Sequence, residues 1–119
     1  MITKEFAQHF AEEWVASWNA HDLPRVLSHY TEDFEMTSPY IVTVADEPTG
    51  TLKGKDKVEA YWSTALKKFT DLHFDLIDVL YSMNSVTIYY HSASKNSKVL
   101  EFFLFDSSGK VQKAIAHYA

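Results

Sequence analysis

Cysteine is absent from the 119-residue chain, which excludes disulfides, thiolate catalysis and cysteine-ligated zinc or iron–sulfur centres. Glycine occurs only three times, too seldom for a phosphate-cradling loop, and no Ser-His-Asp order stands out. Positive charge is also scarce. Eleven Lys and Arg against sixteen Asp and Glu leave a formal net charge of −5, which repels phosphate backbones and anionic lipid. Neither nucleic acid nor a membrane is therefore an expected partner. No apolar run approaches the ~20 residues that a bilayer crossing needs. Met1-Ile2-Thr3-Lys4-Glu5 has no signal-peptide character, and the expected location is cytoplasmic.

What the chain does have is aromatic rings. Trp, Tyr and Phe make up 15% of it, and each ring can bury ~150–250 Å². They either fill a core or line a pocket, and composition does not choose between these. With 46% hydrophobic and 23% charged residues, the chain reads as one globular domain over residues 1–119.

Phe6, Ala7, Phe10, Ala11, Trp14, Val15 and Trp18 recur at three- and four-residue steps, which predicts an amphipathic helix from Thr3 to Ala20. Asp22 is a candidate N-cap for a short second helix that carries Pro24 in its first turn, and the two helices form a hairpin. A short extended segment runs from Thr31 to Met36 and ends at Ser38-Pro39. Residues Tyr40 to Gly54 read as a hairpin or loop around Asp46-Glu47-Pro48-Thr49-Gly50, placed to cover a pocket. Asp56 is expected to cap a third helix with Val58, Tyr61, Trp62, Ala65, Leu66 and Phe69 along one face.

After Asp71 the period changes to two, in Leu72-Phe74-Leu76 and again in Val86-Ile88-Tyr90. Turn clusters at Met83-Asn84-Ser85, Lys95-Asn96-Ser97 and Asp106-Ser107-Ser108-Gly109 divide the rest into four antiparallel strands, with Gly109 suited to a left-handed bulge position. Helices segregated from sheet in this way predict an α+β fold, a single curved sheet wrapped around the helices.

Several segments carry a family likeness: Trp14-x-x-x-Trp18-Asn19-Ala20-His21-Asp22-Leu23, Tyr30-Thr31-Glu32-Asp33-Phe34, Ser38-Pro39, Gly54-Lys55 opening a helix, and Phe105-Asp106-x-x-Gly109-Lys110-Val111 before His117-Tyr118. Together they resemble the nuclear transport factor 2-like superfamily, in its SnoaL-like polyketide cyclase and ketosteroid isomerase branch. The resemblance implies a cone-shaped, cystatin-like α+β fold whose concave antiparallel sheet and helices enclose an apolar pocket, commonly in a homodimer. It also implies a hydrophobic small molecule as partner, no cofactor, and cofactor-independent proton transfer of an isomerase, cyclase or dehydratase type. A non-catalytic binding or dimeric interaction module of the same fold is the alternative, because shared fold does not carry function.

In ketosteroid isomerases the general base precedes a proline, a place held here by Ser38 before Pro39, so that base is missing. Their oxyanion tyrosine matches Trp14, which retains an N–H donor. Their neutral carboxylic acid, five residues before the turn aspartate, matches Glu101 ahead of Asp106.

Glu101 stands out from the residues alone, as the one charge inside Val99-Leu100-Glu101-Phe102-Phe103-Leu104-Phe105. Burial there raises a carboxyl pKa toward neutrality and makes a general acid or base. If the turn at Asn96 pairs Ser94 with Lys98, His91 falls opposite Glu101 and the two form a carboxylate–imidazole pair. The bland reading puts the same pair on the solvated face. The expected catalytic residues are thus Glu101 and His91, with Trp14 or Ser38 donating to a developing oxyanion. The expected lining is Trp14, Trp18, Tyr30, Ser38, Trp62, Phe103, Ala116 and Tyr118, although rings at helical spacing also suit a plain core. Phe102 and Leu104 are candidates for a dimer face. The six histidines lack the paired spacing of zinc motifs, so no metal is expected.

Overall fold

The computed structural model describes all 119 residues. Helix α1 spans Lys4–Asn19; the Thr3 side chain caps it by accepting from the Phe6 N–H at 3.1 Å. It ends where Ala20 leads into His21, a residue at φ 55. Helix α2 (Leu23–Leu27) follows with the cap expected from the sequence, Asp22 accepting from the Arg25 N–H. A two-point contact of Arg25 with the Glu13 carboxylate ties α2 back to α1.

Strand β1 (Tyr30–Thr37) is one residue longer at each end than its apolar pattern suggested. Ser38 does end it, and it also caps a helix α3 (Pro39–Val44) where the sequence reading had only a hairpin or loop. That helix is an insertion within a hairpin, because β2 (Thr51–Lys53) returns to pair with β1 at Thr37–Thr51. Helix α4 (Lys55–Lys68) starts from Gly54 at φ +97, a conformation that favours glycine, so Asp56 lies in its first turn and is not its cap.

Strands β3 (Phe74–Tyr81), β4 (Ser85–Ser92), β5 (Ser97–Phe105) and β6 (Val111–Tyr118) form the expected antiparallel meander. Gly109, at φ +83, closes the last turn beside a one-residue register shift between Leu104 and Phe105, and the Asp106 carboxylate accepts from the Ser108 and Lys110 N–H groups. The sheet order is β2-β1-β6-β5-β4-β3. Its β1–β6 pair runs parallel, so the sheet is mixed and not antiparallel throughout.

Alternation sorts the long strands into two faces. Val86, Ile88 and Tyr90 of β4, Val99, Glu101, Phe103 and Phe105 of β5, and Val111, Ala114 and Ala116 of β6 are all buried on the concave side. Helix α1 lies across that side with the Trp14 ring stacked on Phe74 and the Phe10 ring edge-on to Phe103 and Phe105. Asn19 fastens the helix end to the sheet edge: its side-chain amide donates to the Phe74 carbonyl and its amide oxygen accepts from the Phe74 N–H. The His21 ring meets the Leu72 carbonyl one step earlier, at 2.9 Å. The Trp18-Asn19-Ala20-His21 run is thus the seam that closes the cone around its interior. No helix is long and apolar enough to cross a membrane.

Candidate functional site

Strand β5 places one carboxyl group inside the cone. Val99 and Phe103 point inward with it, and the residue opposite on β6 is Ala116, a core residue that, contrary to expectation, does not line the space Glu101 borders. Glu101 is 5% exposed and has no ion-pair partner within reach. Its one hydrogen bond comes from the Tyr90 hydroxyl, which donates to Oε1 at 3.2 Å. Burial pushes the Glu101 carboxyl up to about 7, against the pull of the Tyr90 hydrogen bond and of the Lys95 charge. Burial likewise lifts the Tyr90 phenol well above its ordinary value, so it remains a donor at neutral pH.

Glu101 opens onto a chamber of about 70 Å³. Trp14, Trp18, Trp62, Phe74, Tyr90 and Tyr118 line it. The Trp18 indole N–H is buried and has no hydrogen-bond partner. An orphaned buried donor costs roughly 1–3 kcal/mol, a cost that the ring packing around Trp18 offsets. Beside the chamber is a second enclosed space, the antechamber, of about 60 Å³ toward Tyr40, Val44 and Phe69. Tyr61, Tyr90, Lys95 and Tyr118 belong to both walls, so the two spaces adjoin. A wider groove near Met1, Phe6 and Met83 lies open on the surface and contains no buried titratable group.

The sequence expectations divide against this geometry. Glu101, Trp14, Trp18, Trp62 and Tyr118 meet in one chamber. Ser38 stands behind it, within 3.3 Å of the Tyr118 hydroxyl and accepting from the Tyr40 N–H as helix cap. Tyr30 and Phe103 are core residues packed beneath the wall, against Phe34 and Trp62 in one case and Phe10 and Trp14 in the other. Trp14 does not supply an oxyanion donor, because its N–H is committed to the Tyr30 hydroxyl at 3.0 Å. The free indole donor is Trp18.

His91 is a correction. The β4–β5 connection pairs Ser92 with Ser97, so His91 faces Lys98 and Glu101 faces Ile88. The expected register was three residues out, and an odd slip exchanges the faces of a strand. His91 therefore lies on the convex side, in contact with Asn96 and 4.0 Å from Asp75, while Glu101 lies inside. Tyr61, which its helical spacing places with the tryptophans as a candidate wall residue, does line the chamber. Sequence reading passed over Tyr90, Phe74 and Lys95; the first two carried the alternation of core residues, and nothing in the pattern marked them as bordering a void. No three His, Asp or Glu side chains converge as a metal ion requires.

This fold has known relatives. The SnoaL-like domain model matches residues 11–113. The chain belongs to the SnoaL-like family. A SnoaL-like protein of unknown function from Burkholderia thailandensis is 51% identical over 99% of this chain and 98% of its own, with a TM-score of 0.95. The protein Bal32a from a soil-derived mobile gene cassette shares the fold at 17% identity and a TM-score of 0.79, over 96% of this chain and 89% of its own. A member of the SnoaL-like family from Agrobacterium tumefaciens, provisionally described as an isomerase, does so at 14% identity and a TM-score of 0.77, covering 97% and 98% of the two chains. No functionally curated protein matches this SnoaL-like chain in sequence.

Proposed function

We propose that this SnoaL-like protein binds a hydrophobic small molecule in its cone and catalyses cofactor-independent proton transfer on it, of the isomerase, cyclase or dehydratase type. The observation that carries the reading is Glu101, a buried carboxyl bordering an apolar chamber and poised near neutrality. In its ionised form Glu101 takes a proton from carbon next to a carbonyl, the electron pair moves onto the carbonyl oxygen, and the same carboxyl returns the proton at another carbon. The unpartnered Trp18 N–H is the donor for that oxygen once the ring turns toward the chamber. A cytoplasmic setting accompanies this reading.

The test is hydrogen–deuterium exchange next to the carbonyl of a panel of cyclic ketones in D2O, followed by proton NMR. Wild-type protein accelerates exchange of at least one member and Glu101→Gln does not. Equal acceleration by the variant, or none by the wild type, removes the catalytic claim. One observation favours the second reading, a binding module without chemistry: Ser38, at the isomerase base position, is occupied as a helix cap and carries no carboxylate.

The convex face supports a homodimer. Leu100, Phe102 and Ile115 lie half-buried side by side there, Phe102 directly opposite Ile115 in the sheet. Burying such a patch in a second copy favours association. Sedimentation of the wild type as a dimer and of Phe102→Glu as a monomer is the expected result; a wild-type monomer at micromolar concentration contradicts it.

A further inference from the structure

A second charged residue borders the chamber. Lys95, in the loop between β4 and β5, borders both the chamber and the antechamber. Its Nζ lies 3.6 Å from the centre of the Tyr40 ring, 5.1 Å from that of Tyr118 and 5.2 Å from that of Phe69. These rings come from three separate elements, α3, β6 and the end of α4. Ring faces attract a cation, but they supply no counter-charge. No carboxylate lies within ion-pair distance of Lys95, and the antechamber wall contains no acid. The chain has sixteen carboxylates and a net charge of −5, yet this half-buried cation feels only one counter-charge, that of Glu101, which lies beyond ion-pair distance. Burial lowers the Lys95 pKa against that pull, the mark of an ammonium group short of water.

Size bears on the same point. Neither the chamber nor the antechamber, at about 70 and 60 Å³, reaches the ~150 Å³ of a protein cavity known to admit benzene. They adjoin at Lys95 and Tyr118, so a ring-sized ligand spans both and displaces the Lys95 head from its rings. An ion pair formed with the ligand offsets that loss; a neutral ligand offers nothing in exchange.

The geometry points to a planar, apolar monoanion as the ligand of this cavity, with its carboxylate or enolate paired to Lys95 and its ring in the chamber that Glu101 borders. This rests on the reading of the chamber as a ligand site and adds the class of molecule. The flat aromatic walls of Trp18, Trp62 and Phe74 match a ring, the orphaned Trp18 N–H matches an acceptor on it, and Lys95 selects the charge.

The experiment is a tryptophan-fluorescence titration of the full chain at pH 6 and fixed ionic strength with benzoate, benzamide and benzylammonium. At that pH Glu101, with its pKa near 7, is mostly protonated and does not repel an anion. Benzoate is expected to bind at least tenfold more tightly than benzamide. Lys95→Met, a change in a half-buried loop residue, brings benzoate to the benzamide level, while Lys95→Arg keeps the preference. Equal binding of benzoate and benzamide to the wild type, or an unchanged ratio in Lys95→Met, overturns the anionic ligand and leaves the ligand chamber standing. Tightest binding of benzylammonium also overturns it, by showing the three rings to be a site for the ligand's own cation. Binding of none of the three removes the chamber reading together with the proposal.

Discussion

The Tyr90 hydroxyl donates to the Glu101 carboxyl from the neighbouring strand, one diagonal step away across the β4–β5 pairing. The contact stabilises the ionised acid while burial opposes ionisation, and the balance sets the Glu101 carboxyl near 7. A carboxyl at that value can both take and return a proton in neutral water.

Removing the donor shifts the balance one way. Tyr90→Phe is expected to raise the Glu101 pKa above its wild-type value, because only desolvation and the distant Lys95 charge remain. The lost hydrogen bond destabilises the fold by about 1 kcal/mol at pH 5, where the acid is neutral, and by roughly 1.5–3 kcal/mol at pH 8, where it is charged. Urea denaturation at the two pH values measures both; an equal loss at each contradicts the assignment.

The stability of the wild type should fall as pH rises. The folded-state pKa of Glu101 is raised from 4.5 to about 7, so the folded protein keeps a proton that the unfolded chain has released. The stabilisation from that proton is fully present below about 4.5 and is lost as pH climbs through 7, a total of roughly 3 kcal/mol. Glu101→Gln, neutral at every pH, lacks this dependence and gains on the wild type most at pH 8. Parallel pH profiles for the two proteins are the contrary result.

His91 supplies a control. It lies on the convex face beside Asn96 and Asp75, away from the chamber. His91→Ala is expected to leave the Glu101 titration where it is and to change stability by no more than about 0.5 kcal/mol. A shifted Glu101 midpoint in this variant would restore the carboxylate–imidazole pair that the register excludes.

Asn19 is a structural hinge between helix and sheet. Asn19→Ala removes both hydrogen bonds to Phe74 and leaves its N–H and carbonyl without partners, at a cost of about 2 kcal/mol. Thermal melts read the loss directly. Amide exchange at Phe74 should quicken in the same variant; unchanged protection there would separate the seam from the cone's closure.

The fold was largely legible because its signals are local. Thr3, Asp22 and Gly109 occupy the positions their residue types suit, and alternation in β4 and β5 assigns faces without reference to distant contacts. Glu101 was legible for the same reason, as a lone charge in an apolar strand. The parts that escaped depend on long-range placement. A four-residue β4–β5 loop in place of a shorter turn moved His91 to the other face, and no local signal fixed that length. Helix α3 is six residues long and lies inside a hairpin, below the length at which periodicity is readable. Lys95 resembles any loop lysine until Tyr40, Phe69 and Tyr118 are brought around it from three other elements.

The central claim is that Glu101 is a buried acid poised for proton exchange within the cone. It is tested most directly by NMR titration of the protein carrying side-chain-labelled glutamate, with the Glu101 resonance assigned by its absence from Glu101→Gln. A midpoint near 7, clear of the other glutamates, is the predicted result. A midpoint in the ordinary carboxylate range near 4.5 would mean that water reaches the acid freely, and the account of the chamber as a site of proton transfer would be wrong.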